Sequence, residues 1–146
     1  MIVDQALLMT PVGQVNNLKL FINRKESSGR TIANFKDLEP ILLKLHFTIL
    51  YLEDLTVAEQ IEIFSMAKII VGIHGAGLTN FIFSYKNNPK ILEITAADFI
   101  PTHYYWLAQS FVFSYNLFLG GKTRLSESQI KFDVDIMRLT NILATF

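Results

Sequence analysis

Apolar residues in this chain follow two periods. Short, nearly continuous runs read as buried strands: Leu18 to Asn23, Phe47 to Leu52, Lys68 to Ile73, Lys90 to Thr95 and Val112 to Leu119. Between them, apolar positions recur every three or four residues, as in Leu38, Ile41, Leu42 and Leu45, the spacing of one helix face. A first helix is therefore predicted over Phe35 to His46, capped by Asn34. Pro40 either delays its start to about Glu39 or bends it. The second helix opens at Thr56-Val57-Ala58-Glu59, where hydroxyl and carboxylate can satisfy each other's backbone N–H, and should end near Ala67. A third leaves a glycine-rich loop and runs towards Ser84, a fourth covers Thr102 to Ser110, and the last covers Val134 to Ala144. Turns at Lys86-Asn87-Asn88-Pro89 and Gly120-Gly121 separate these segments.

Strands alternating with helices imply a parallel sheet covered on both faces, an α/β Rossmann-like three-layer domain. We place that domain at residues 18–146. Residues 1–17 are expected to be an N-terminal extension or the remnant of an interdomain helix. In such sheets ligands bind beyond the carboxyl ends of the strands, so chemistry is sought in the residues just after each strand.

Composition narrows the function classes. The chain has 146 residues, 51% of them hydrophobic and 18% charged, enough apolar material for one sizeable core. A mean hydropathy of +0.33 and 12 Phe exceed what a lone domain buries, so some surface is expected to meet a partner, a further domain or another copy. Thirteen basic residues balance thirteen acidic ones, which leaves no overall field for nucleic acid; phosphate recognition must be local. Without cysteine there is no disulfide, thiolate metal site or cysteine nucleophile, and a reducing compartment is favoured. We expect a bacterial cytoplasmic location, with peripheral attachment to the membrane left open. No apolar run approaches the roughly 18–20 residues that span a bilayer.

The candidate chemistry begins where the third predicted strand ends. His74-Gly75-Ala76-Gly77-Leu78-Thr79-Asn80 follows that strand and leads into Phe81-Ile82-Phe83. Two glycines admit close backbone approach, and a helix start offers free N–H groups with the positive end of its dipole, an arrangement suited to a diphosphate. A tight turn with no ligand explains the same glycines. His74 can donate to a phosphate or hydrogen-bond a sugar hydroxyl, or can be a satisfied structural histidine. After the first strand, a short Ser/Gly-rich loop carries Arg24, Lys25 and Arg30. Arginine forks match phosphate oxygens, while solvated surface charge is the plainer reading. Glu93 interrupts an apolar strand; burial of an unpaired carboxylate is costly, so it either reaches the crevice, touching ribose hydroxyls, or is a paired structural acid. His46 and His103 are assigned no catalytic role, and no metal-ligand spacing occurs.

Taken together, Arg24, Arg30-Thr31-Ile32-Ala33-Asn34, Glu53, Glu59-Gln60-Ile61, the Gly72 to Asn80 segment, Leu92-Glu93-Ile94 and the closing Ile130 to Asp135 stretch resemble glycosyltransferase family 61. That family includes bacterial capsular-polysaccharide enzymes, plant xylosyl- and arabinosyltransferases and animal N-acetylglucosaminyltransferases. The resemblance implies an inverting, metal-independent transferase of GT-B type with no cofactor, and this chain would be its nucleotide-sugar-binding half. On that basis Arg24, Arg30, His74, Gly75, Ala76, Gly77, Leu78, Thr79 and Asn80 border the donor and its phosphates, and Glu93 is a nucleotide contact. The donor would be a nucleoside-diphosphate sugar, with uridine expected. A glycan or protein hydroxyl acceptor would be held through an N-terminal domain that the short leader does not supply, so the chain alone is expected to be inactive.

Two other readings stand beside it. Gly75-Ala76-Gly77-Leu78-Thr79-Asn80 is close to GxGxxG, with Asp98 placed for a ribose, which would make an NAD-type dinucleotide module; Asn80 in place of the third glycine and the late strand count against it. A non-catalytic assembly domain would use the excess apolar surface to form an oligomer.

Overall fold

The computed structural model describes residues 16–126 and 129–146. Residues 1–15, and with them nearly all of the proposed N-terminal extension, lie outside this range.

Five strands, β1 (Leu18–Asn23), β3 (Phe47–Tyr51), β4 (Ala67–Ile73), β5 (Lys90–Thr95) and β6 (Ser114–Leu119), form one sheet in the order β3-β1-β4-β5-β6. Every pairing in it is parallel. Among the described residues, four α-helices cover it: α1 (Phe35–Lys44), α2 (Val57–Ser65), α3 (His103–Ser110) and α4 (Ile136–Ala144). The chain is therefore a Rossmann-like three-layer α/β domain.

The two-residue period of the strands splits the core in two. Leu20, Ile22, Ile70 and Ile91 pack with Ile63, Phe64, Phe81, Tyr104 and Ala108, which come from α2, α3 and the segment after the glycine loop. Phe21, Val71, Leu92, Ile94 and Phe118 point the other way, onto Leu38, Leu42, Leu139 and Leu143 of α1 and α4. Burial on both faces is why these strands read as continuous apolar runs.

Several local details depart from the sequence pattern. Helix α1 runs through Pro40, which has no N–H to give to the helix ladder. Asn34 occupies its N-cap position, yet the side chain makes no cap bond. Instead its amide donates to Val134 O at 2.8 Å and its carbonyl accepts from Val134 N at 3.0 Å. Segment Ala76–Asn87 is a 3-10 helix, not an α-helix. Strand β6 begins at Ser114 because Val112 turns left-handed at φ 58°. A small second sheet was not anticipated: β2 (Thr31–Ile32) pairs parallel with β8 (Gln129–Phe132), and β7 (Arg124–Ser126) pairs antiparallel with β8. Strands of two to four residues are too short to show a period.

Candidate functional site

The chain leaves β1, adds β3 on one side, and returns to add β4 on the other. Loops at the carboxyl ends of β1 and β4 therefore diverge, and the crevice between them is where open parallel sheets bind ligands. A cleft of about 250 Å³ occupies this position, lined by Asn23, Arg24, Leu52, Glu53 and the backbone from Gly75 to Leu78.

Arg24 forms one wall. Its Nη1 donates to His74 O at 3.0 Å. The guanidinium lies so close to the loop that a Cβ on Gly75 would sit 2.8 Å from Nη1. Gly29 backs the same group in a conformation, φ +115°, that suits only glycine. Gly77 is set by the opposite wall, since a Cβ there would meet Leu52 Cδ1 at 2.6 Å. The loop is pinned from α3, where Tyr104 donates to Gly75 O at 2.6 Å and accepts from Thr79 Oγ1 at 3.3 Å. Burial pushes the Tyr104 phenol above its ordinary value, which keeps it a donor. A second cleft of about 220 Å³, bordered by Thr31, Lys36 and Tyr51, shares Asn23 and Arg24 with the first.

Of the other predicted residues only Leu78 reaches the cleft lining; Arg30, His74, Thr79, Asn80 and Glu93 do not line it. Leu78 is buried beneath the loop, with its N–H on Gly75 O at 3.0 Å. Asn80 donates to Gln60 at 2.7 Å, and Gln60 in turn holds Leu52 O and Leu55 O, so this side chain ties α2 to the cleft wall. Arg30 stacks on Phe99 at 3.9 Å, a cation–π contact. His74 points to the α3 side of β4, with Nδ1 against Glu93 and its ring 5.1 Å from Phe99 and 5.0 Å from His103. Glu93 is fully buried and also accepts from Tyr115, so it reaches a ligand only through His74. Among the described residues no three His, Asp or Glu side chains converge on a metal position, and no helix is long and apolar enough to cross a membrane.

The sequence signature of the Glycosyltransferase 61 family matches residues 5–91, more than half of the chain. The chain belongs to this family. The matched stretch includes Arg24, Arg30 and the whole glycine loop, and ends within β5 before Glu93. A comparison with curated proteins gives no match. A glycosyltransferase works on a nucleotide-sugar donor and an acceptor, and the cleft between β1 and β4 is the feature to weigh for the donor. Asp98, the ribose candidate of the dinucleotide reading, is taken up by Thr123, which donates through N at 3.0 Å and Oγ1 at 2.6 Å and holds the carboxyl below its usual range.

Leu52, Glu53, Asn23, Tyr104 and Tyr115 escaped the sequence reading as site residues. Asn23 and Glu53 carried a usable signal, since the first ends β1 and the second follows closely on β3. Tyr104 and Tyr115 carried none, because their partners lie 29 and 22 residues away.

Proposed function

We propose that the cleft between β1 and β4 binds the diphosphate of a nucleoside-diphosphate sugar, uridine being the expected base, and that this chain handles the leaving group in glycosyl transfer. One observation carries the reading: Arg24 and the start of the Gly75 segment face each other across the topological switch point. When an acceptor hydroxyl attacks the anomeric carbon from the opposite face, with inversion, negative charge grows on the departing phosphate. A charged guanidinium and helix-start N–H groups stabilise that charge where they are already oriented, the work that a metal ion does elsewhere. Polysaccharide synthesis, in capsule for instance, is the proposed setting. Arg30, stacked on Phe99, plays the lesser part.

Calorimetry with uridine diphosphate tests this. Arg24→Ala should weaken binding about tenfold or more, the scale of one charge-assisted contact of roughly 1.5–3 kcal/mol. Arg30→Ala should cost less. Equal affinity in wild type and Arg24→Ala refutes the reading, as does a preference for NAD over uridine diphosphate. Self-association, if it occurs, is proposed to use the exposed Tyr105, Trp106 and Val112 around α3.

A further inference from the structure

Glu93 sits on the same side of β5 as Ile91, with no exposed surface. Its two oxygens have separate partners: Oε1 faces His74 Nδ1 and Oε2 accepts from the Tyr115 hydroxyl. Burial, reinforced by Glu93, holds the Tyr115 phenol far above its ordinary value, so it remains a proton donor. An ionised carboxylate only accepts, and a histidine facing it presents N–H from the near nitrogen, leaving a lone pair on the far one. The rest of His74 is also fixed. Its N–H donates to Ile94 O at 2.8 Å, and its carbonyl accepts from Arg24. Nε2 has no hydrogen-bond partner among the described residues, and the side chain keeps 14% of its surface exposed.

We propose that Glu93 and Tyr115 are positioning residues that hold His74 as its Nδ1–H tautomer, so that Nε2 accepts a hydrogen bond from a sugar hydroxyl at the rim of the donor cleft. This rests on the donor reading above. His74 immediately precedes the loop that would hold the diphosphate, so a sugar attached to that phosphate lies within reach of its ring. A phosphate ligand on Nε2 would require the opposite tautomer or a charged ring.

Long-range proton–nitrogen spectra decide the point, and three histidines make assignment simple; His74→Gln identifies the signal. Wild type should show His74 with its proton on Nδ1. In Glu93→Gln the amide oxygen accepts from Tyr115 and the amide N–H₂ faces Nδ1, so the proton should move to Nε2. In wild type, at least one of UDP-glucose, UDP-N-acetylglucosamine and UDP-xylose should shift the Nε2 resonance beyond the effect of uridine diphosphate alone. An Nε2–H tautomer in wild type overturns the proposal even if Glu93→Gln does not fold. So does uridine diphosphate binding with no extra response to any of the three sugars. Absence of any uridine diphosphate binding contradicts the donor reading itself, and the sugar contact falls with it.

Discussion

Gly75 and Gly120 each follow a strand, but different neighbours make them different probes. A Cβ at Gly75 would meet the far end of Arg24, a flexible group that can move. Gly75→Ala should therefore change stability by less than about 1 kcal/mol. It should weaken uridine diphosphate binding, and the loss should not add to that of Arg24→Ala, since both act on one guanidinium. Additive losses in a double-mutant cycle would separate the two residues. At Gly120 a Cβ would meet Asp133 O at 2.8 Å and Phe132 Cδ2 at 2.7 Å, backbone and packed ring that hold the small sheet in place. Gly120→Ala should cost about 1–3 kcal/mol in urea denaturation; a neutral result means the junction between sheets is softer than described. From sequence these two glycines could not be told apart, because what distinguishes them comes from Arg24 in one case and Asp133 in the other.

Helix ends hold the clearest element-scale tests. Helix α3 ends with Val112 N–H on Gln109 O at 3.0 Å and Phe113 N–H on Ala108 O at 2.9 Å, the bond pattern that glycine usually serves. Val112 takes that position at φ 58° and is 83% exposed. A left-handed β-branched residue is strained by roughly 1–2 kcal/mol, and little packing is lost on truncation. Val112→Gly should stabilise the domain by about 0.5–1 kcal/mol after the unfolded-state entropy of glycine is counted; destabilisation would mean Val112 makes contacts that its exposure hides. At α2, Thr56 and Glu59 form the anticipated capping box, and Thr56→Ala should cost about 1 kcal/mol near neutral pH. Hydrogen bonds from Thr56 hold the Glu59 carboxyl below its ordinary 4.5. The Glu59 share is thus fully present above about pH 4.5 and fades as pH falls through the lowered value. The gap between wild type and Thr56→Ala should narrow in acid; a constant gap contradicts this assignment. Both long strands bordering the cleft and the α2 start were legible, since each is set by residues near in sequence. The side chain of Asn34 was not, because Val134 competes for it from 100 residues away.

At the scale of the molecule, the strand order β3-β1-β4-β5-β6 puts the Arg24 loop and the Gly75 loop side by side although 50 residues of chain separate Arg24 from His74. Sequence alone supplied both loops and the expectation of a crevice, but not their facing geometry, which depends on β4 pairing with β1. Nor did it separate residues at the cleft from those that brace it: Asn80 and Glu93 face Gln60 and Tyr115, partners 20 and 22 positions distant. Diphosphate binding between β1 and β4 is tested by a uridine diphosphate titration of the nitrogen-15-labelled chain, followed through its backbone amides. The largest shifts are expected at Arg24, Gly75, Ala76 and Gly77, with smaller ones at Leu52 and Glu53. Shifts confined to another edge of the sheet, or none at millimolar ligand, would contradict binding there.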